Sequence, residues 1–353
     1  MTSTRQPSAL SWELVRSTLL DAASSADRKD EVAELIAGLL GSYVHSPDFS
    51  KYFRIWQASG FHVTPVHFYS PIPNTAELGA DVWEKETALP GIDLNESNQL
   101  RMLAAFKRFQ EEYNSFPFEP TDRAGEFYLN NPMFSGTDAL VLYCMVRHFR
   151  PASIIEVGSG FSTRVLVEAA KHNGPTQILC IEPHPEELLK QRVLPVTLIE
   201  RRVQDISLSV FESLQSGDAL FIDSSHAVRI DGDVNYLFLE VLPRLKPGVI
   251  VHVHDVFLPR QPPREWVVDQ MRFWCEQYLL QAFLAFNGAF EVVLSNSYLG
   301  LRHERVMRDV FPRSPWWGGG SFWIRRTAQE SVPATHARDG AGLLGERAAG
   351  DSA

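Results

Sequence analysis

Short runs of apolar residues alternate with helical stretches between residues 121 and 326, and this alternation constrains the fold more than any other feature. Near-continuous runs of Val, Ile and Leu indicate parallel strands that are buried on both faces of a sheet. Strands separated by helices are typical of a doubly wound α/β sheet. The six runs are SIIEV (153–157), QILCIE (177–182), VTLIER (196–201), ALFID (219–223), VIVHVHD (249–255) and EVVLS (291–295).

A glycine triplet, Gly318 to Gly320, leads into one more apolar segment, SFWIRR (321–326). We expect this late strand to pair antiparallel beside EVVLS. The last stretch, 327–353, contains no aromatic residue and is rich in Ala and Gly, which is typical of a disordered tail. The sequence therefore predicts a helical N-terminal region (1–120), a sheet domain (121–326) and a tail (327–353).

Helical spacing of apolar residues predicts two helices in the N-terminal region. The first, in 27–43, has Gly41 as its expected stop. The second lies in 97–116. The proline- and aromatic-rich segment 60–75 between them is either an extended segment packed on the next domain or a loop lining a ligand. The apolar positions are Val32, Leu35, Ile36, Leu39 and Leu40 in the first helix, and Leu100, Leu103, Phe106 and Tyr113 in the second.

Composition excludes several classes of function. The formal net charge of −10 disfavours nucleic acid and anionic lipid as partners. The cysteines Cys144, Cys180 and Cys275 are too far apart in sequence to suggest a zinc knuckle or a disulfide framework. No run approaches the roughly 20 apolar residues that cross a bilayer, and the N-terminus is a poor signal peptide. We expect a cytoplasmic protein that acts on a small-molecule substrate, alone or as a homodimer.

A glycine-rich loop carries the strongest chemical signal. The sequence EVGSGFST (156–163) follows a predicted strand and precedes a predicted helix, which is the setting of a nucleotide-binding loop. A dinucleotide loop of the form G-x-G-x-x-G would place glycine where Thr163 stands, so NAD is disfavoured. Glu182 ends the next strand, where a carboxylate binds ribose hydroxyls. The segment VQD (203–205) follows the third strand, where an adenine would lie.

These segments resemble the class I S-adenosylmethionine (SAM)-dependent methyltransferases over about residues 125–326. EVGSGFST, FIDSSH (221–226) and VHVHDVF (251–257) look like the small-molecule subgroup called methyltransferase domain 24. The resemblance implies a Rossmann-like seven-stranded sheet, an N-terminal helical lid and SAM as cofactor. The cofactor-binding residues that it indicates are Glu156, Gly158, Ser159, Gly160, Thr163, Glu182, Gln204, Asp205, Asp223 and Ser224.

Polar clusters follow the fourth and fifth strands. In metal-dependent O-methyltransferases that this chain resembles, acids at these places hold Mg²⁺, and Asp223 and Asp255 match them. Val256 stands where a third ligand is wanted, so we predict no metal. Without a metal, His226 or His254 would act as a general base. His252 is predicted to be a core residue. The candidate catalytic residues are His226, His254, Asp255, Tyr69 and Asn131.

Three functions are compatible with this pattern. The first is methyl transfer from SAM to an oxygen or nitrogen of a small, specialised metabolite. The second is internal cyclisation of SAM to azetidine-2-carboxylic acid with release of methylthioadenosine. The third is SAM binding without catalysis. Aromatic residues in 264–283 predict one further, largely buried helix.

Overall fold

The structure, a computed structural model, describes residues 12–328, and the chain divides into two compact units between Glu77 and Leu78. The sheet lies in the second unit. The expected boundary at residue 120 differs from this division, because the helix Glu96–Phe106 buries Leu103 and Phe106 completely in the core of the sheet domain. No helix within residues 12–328 has the length and apolar character needed to cross a membrane.

Seven strands form one sheet in the order β3-β2-β1-β4-β5-β7-β6. The first five strands in sequence are parallel to one another, and β7 runs antiparallel to both β5 and β6. This confirms the doubly wound Rossmann-like α/β fold and the antiparallel closing strand. The strands are β1 (Ser153–Val157), β2 (Gln177–Ile181), β3 (Thr197–Ile199), β4 (Ala219–Ile222), β5 (Ile250–Val253), β6 (Phe290–Ser295) and β7 (Phe322–Arg326).

The α-helices between residues 12 and 328 are α1 (Trp12–Ser24), α2 (Lys29–Val44), α3 (Phe49–Ala58), α4 (Asp81–Glu84), α5 (Glu96–Phe106), α6 (Gln110–Asn114), α7 (Gly136–Phe149), α8 (Phe161–Lys171), α9 (Glu187–Lys190), α10 (Leu208–Glu212), α11 (Asp233–Asn235), α12 (Glu276–Leu284) and α13 (Asn296–Val310). Helix α2 continues past Gly41, so the expected stop is wrong. An interior glycine costs a helix only about 1 kcal/mol, which is not enough to end it. The expected second helix is divided into α5 and α6 by a 3₁₀ turn, Lys107–Phe109.

Both faces of the sheet are buried, as the apolar runs predicted. Alternate residues of β1 enter opposite cores: Ile154 joins the one that contains α7 and α8, and Ile155 joins the one that contains Phe211 and Leu237. His252 of β5 is completely buried, and its ring lies 4.1 Å from that of Phe221. This confirms the expectation that His252 is a core residue.

The aromatic segment 264–283 is not one helix, contrary to expectation. It contains a single π-helical turn, Glu265–Asp269, then irregular backbone, and α12 begins only at Glu276. The backbone N–H groups of Cys275 and Glu276 donate to the carbonyl of His226, at 2.9 and 3.1 Å. These tertiary hydrogen bonds, invisible in a helical periodicity, determine where α12 starts.

Candidate cofactor and catalytic site

The glycine loop connects β1 to α8 and leaves open space before the helix. Gly158 has φ +83°, and a Cβ there would lie 1.8 Å from the carbonyl oxygen of Asp223, so no side chain fits. A Cβ at Gly160 would meet no atom within 4 Å. The first N–H groups of a helix lack partners within the helix and favour an anionic or polar ligand. The loop therefore has room for a ligand at the N-terminus of α8.

The buried side chain of Glu156 forms hydrogen bonds to the first turn of α8, next to this loop. One carboxyl oxygen accepts from Ser162 Oγ at 2.7 Å, and the other accepts from Thr163 Oγ1 at 2.6 Å and Cys180 Sγ at 3.3 Å. The side chain is completely buried, and burial raises the pKa of Glu156 to about 7 despite these donors. Direct contact between Glu156 and a cofactor stays a prediction, because both oxygens already have partners and neither reaches the surface.

Glu182 lies beside the glycine loop. Its Oε2 accepts from the backbone N–H of Ser159 at 3.2 Å, and its Oε1 accepts from that of His184 at 2.7 Å. A carboxylate has about four lone-pair sites, so each oxygen can accept a further bond. The structure thus brings Glu182 to the loop, and its bond to a ribose stays a prediction.

The adenine-binding residues expected after β3 have other partners. Arg202 holds Asp205 through two 2.9 Å hydrogen bonds, and Gln204 Nε2 donates to the carbonyl of Asp231 at 3.0 Å. The side chains of Arg202 and Asp205 are both about half exposed. Since an exposed ion pair contributes little to stability, a ligand can displace it at low cost. Adenine recognition by Gln204 and Asp205 stays a prediction.

Three side chains meet where β4 and β5 end. His226 Nε2 lies 3.3 Å from Asp223 Oδ1 and 3.3 Å from Asp255 Oδ2. The other ring nitrogen, Nδ1, lies 2.9 Å from Glu276 Oε2. His226 is 5% exposed, and both His226 and Asp255 have left-handed backbone conformations. Because β4 and β5 are adjacent and parallel, the polar residues that follow the two strands form one buried cluster. Ser224 lies in the loop between Asp223 and His226.

The cluster is electrostatically coupled. Burial alone would lower the pKa of His226, but Asp223 and Glu276 outweigh it and raise this pKa well above its usual value. Burial raises the pKa of Asp255 and of Glu276. This direction favours the ring with protons on both nitrogens, which has no lone pair to accept another proton, so it does not favour the general-base role expected for His226.

The donors do not suit the Mg²⁺ ion that the resemblance raised. Mg²⁺ prefers near-octahedral oxygen ligands. Here Asp223 and Asp255 supply carboxylates, but the donor atom of His226 between them is an imidazole nitrogen, although the three ligand atoms lie within 4.8 Å of one another. Val256 is completely buried and supplies no ligand.

The last residue of the glycine triplet packs against the cluster residue Asp255. A Cβ at Gly320 would lie 2.7 Å from the Cα of Asp255, so the two backbones approach too closely for a side chain. The buried carboxylate of Asp138 accepts from the N–H groups of Gly320 and Ser321, at 3.0 and 2.8 Å. Sequence reasoning missed Asp138 and Glu276, because neither lies in a motif.

The other expected catalytic residues are placed differently. Asn131 uses both amide hydrogens on the carbonyls of Tyr128 and Phe134 and accepts from the N–H groups of Met133 and Phe134. This leaves no hydrogen-bonding capacity for a substrate, so the geometry corrects its role to that of a turn-forming residue. His254 is buried, with Nε2 3.5 Å from Asp255 Oδ1. Tyr69 belongs to the first unit and is exposed.

Comparisons with known proteins identify the central segment. The family model that matches is described as a methyltransferase domain and covers residues 155–256. An uncharacterised protein of Archaeoglobus fulgidus is 35% identical over 162 residues, which cover 43% of this chain and 73% of that protein.

Solved structures show more distant likeness. The SAH-bound methyltransferase PaMTH1 of Podospora anserina is 18% identical, with a TM-score of 0.37, over 64% of this chain and 88% of that one. The O-methyltransferase TomG of Streptomyces achromogenes, involved in tomaymycin synthesis and solved with SAM, is 15% identical, with a TM-score of 0.36, over 64% and 90%.

Proposed function

Because this chain belongs to the class I SAM-dependent methyltransferase family, we propose that it transfers the methyl group of SAM to an oxygen or nitrogen of a small, specialised metabolite. One observation carries the proposal: the glycine loop, which has open space at Gly160, contacts the loop that carries Asp223 through Gly158, and Asp223 clusters with Asp255. The two sites are adjacent because the backbone of Gly158 packs directly against that of Asp223.

In the proposed reaction, a lone pair of the acceptor attacks the methyl carbon of SAM. The carbon–sulfur bond breaks, and its electron pair stays on sulfur to give S-adenosylhomocysteine. The proton of the acceptor passes to Asp255, whose raised pKa makes it a better base than an exposed aspartate. His226 donates hydrogen bonds and stabilises the carboxylates. The protein's remaining contribution to catalysis is to position the acceptor in line with the carbon–sulfur bond of SAM.

Aromatic side chains beside the cluster support an organic acceptor. The ring of Trp274 lies 4.4 Å from that of His226, and Trp266 lies 5.4 Å from Trp274. The guanidinium of Arg272 lies about 5 Å from both indole rings. Half-buried indoles offer a flat apolar surface with a polar edge, which suits a small molecule with an unsaturated or ring portion.

The test is product analysis by mass spectrometry after incubation with SAM, first alone and then with a library of small hydroxylated and amine metabolites. We expect S-adenosylhomocysteine and a methylated product only when an acceptor is present. Methylthioadenosine with azetidine-2-carboxylic acid from SAM alone would contradict methyl transfer and support cyclisation. SAM binding without any product would support the non-catalytic alternative. The matched control is Gly160→Val, which fills the open space.

The same assay is run with and without EDTA. We expect equal activity, because the donor set does not suit Mg²⁺. Activity that is lost with EDTA and restored by Mg²⁺ would assign Asp223 and Asp255 as ligands.

A further inference from the structure

One residue outside every sequence motif contacts the ring nitrogen of His226 that does not face the aspartates. Glu276, the first residue of α12, is 2% exposed, and its Oε2 lies 2.9 Å from His226 Nδ1. We propose that Glu276 is a positioning residue, which fixes the His226 ring so that both of its nitrogens donate and Nε2 stays between Asp223 and Asp255.

Further hydrogen bonds join the loop that contains His226 to the start of α12. The carbonyl of His226 accepts from the N–H groups of Cys275 and Glu276, and the N–H of Val228 donates to Cys275 Sγ at 3.2 Å. His226 has φ +58°, a conformation that a non-glycine residue adopts only when its surroundings stabilise it. The loop after β4 is therefore built onto the start of α12, and the contact between Glu276 and His226 belongs to this junction.

The contacts on the two sides of the ring favour a proton on each nitrogen. A neutral imidazole has one N–H and one lone pair. With Glu276 at Nδ1 and two aspartates at Nε2, a neutral ring would direct its lone pair at a carboxylate, whichever tautomer it adopted. A ring with two N–H groups avoids this repulsion on both sides. The charged or titratable groups that interact with His226 are Asp223, Asp255, Glu276, His252 and His254.

The contacts at the two ring nitrogens of His226 differ in length and therefore in strength. The 2.9 Å separation at Nδ1 is that of a charge-assisted hydrogen bond, whereas 3.3 Å at Nε2 is longer and is shared between two oxygens. The other oxygen of Glu276 is buried and has no hydrogen-bond partner among the described residues. Glu276 therefore depends on His226 for compensation of its charge, and the ring depends on Glu276 for its orientation.

The experiment is NMR of the full chain labelled with ¹⁵N-histidine, in which long-range ¹H–¹⁵N correlations report the protonation of each ring nitrogen. The spectrum of His226→Asn assigns the His226 signals. In the wild type we expect both nitrogens to carry protons at pH 7. In Glu276→Gln we expect the titration midpoint of His226 to fall by at least one pH unit. Glu276→Asp, which keeps the charge on a shorter side chain, should give an intermediate shift.

The matched control is Glu112→Gln. Glu112 is a partly buried carboxylate away from the cluster, on α6, and it pairs with Arg147 of α7 at 2.7 Å. This variant should lower the melting temperature and leave the His226 signals unchanged. Unchanged His226 signals in both Glu276 variants would overturn the proposal. So would a wild-type Nε2 without a proton at pH 7, or broadening of the His226 signals by stoichiometric Mn²⁺, which would assign the ring as a metal ligand.

A second readout concerns turnover and rests on the proposed function. In Glu276→Gln we expect kcat to fall at least tenfold and its pH dependence to shift, with SAM affinity within twofold of the wild type. Restoration of part of the activity by Glu276→Asp would separate a positioning role from a loss of folding. The NMR result requires no turnover, so failure to find an acceptor would count against the proposed function and leave the test of Glu276 intact.

Discussion

At the scale of single residues, the two glycines of the loop have different roles. Gly158 is required by the fold, because its backbone has φ +83° and contacts Asp223 directly. Gly160 borders open space and is required only if a ligand occupies that space. The motif G-x-G therefore combines one structural glycine with one that serves binding.

This difference predicts opposite outcomes for two alanine variants. Gly158→Ala should lower the free energy of unfolding by about 2 kcal/mol or more, since it adds left-handed strain to a steric clash. Gly160→Ala should cost clearly less stability and should weaken SAM binding. Denaturant unfolding and titration calorimetry measure the two effects. Equal stability losses with unchanged SAM affinity would remove Gly160 from the binding site.

Glu156 predicts a pH dependence of stability. Its folded-state pKa of about 7 lies above the unfolded value of 4.5, so the folded chain binds more protons between these values. Stability should therefore fall as pH rises from about 4.5 to about 7, by on the order of 3 kcal/mol for this group. Glu156→Gln should remove this slope in denaturant unfolding at a series of pH values. An unchanged slope would show that Glu156 is ionised throughout.

Glu182 predicts a change in cofactor affinity. Glu182→Ala should weaken SAM binding by about 1.5–3 kcal/mol, the usual contribution of hydrogen bonds to a charged group. The matched control is Glu186→Ala, because Glu186 lies nearby but pairs with Arg164 at 3.1 Å instead of contacting the glycine loop. Calorimetric titration that found equal affinities for both variants would exclude Glu182 from the ribose site.

At the scale of elements, helix ends and turns are determined by partners outside the element. Helix α12 begins where the carbonyl of His226 accepts hydrogen bonds from the backbone N–H groups at the start of the helix. The backbone that ends the glycine triplet is held by hydrogen bonds to the carboxylate of Asp138. The turn that precedes α7 is held in the same way by Asn131, which makes four hydrogen bonds to backbone atoms.

The Asn131 turn predicts a structural phenotype. Asn131→Ala should lower the free energy of unfolding by about 2–4 kcal/mol, because each lost hydrogen bond contributes about 1 kcal/mol. Below its melting temperature, the variant should keep the pH profile of turnover, since Asn131 has no atom available for substrate. A changed pH profile with unchanged stability would restore Asn131 to the catalytic residues.

At the scale of the whole molecule, the sheet domain ends with β7 and a short continuation. Thr327 donates through its backbone N–H to Ala289 and through Oγ1 to Gly288, at 2.9 and 2.8 Å. The expected tail, 327–353, therefore includes at least one residue attached to the domain, whereas residues 329–353 lie outside the described part of the chain.

Two truncations test this boundary. Deletion of 329–353 should leave the melting temperature and SAM affinity unchanged, since the segment lacks aromatic residues and is rich in Ala and Gly. Deletion of 327–353 should cost a small amount of stability, because it removes both Thr327 hydrogen bonds. A fall of many degrees in the first variant would show that the segment 329–353 packs on the domain.

The sequence alone determined what depends on neighbouring residues. Apolar runs predict buried parallel strands because both faces of the sheet exclude water, and the glycine loop is recognisable because Gly158 needs a conformation without a side chain. Tertiary structure alone decided which polar groups meet. Glu276 is 50 residues from His226, and Asp138 is 183 residues from Ser321. No periodicity records such pairs, because burial of a charge is compensated by whichever partner packing brings near, at any separation along the chain.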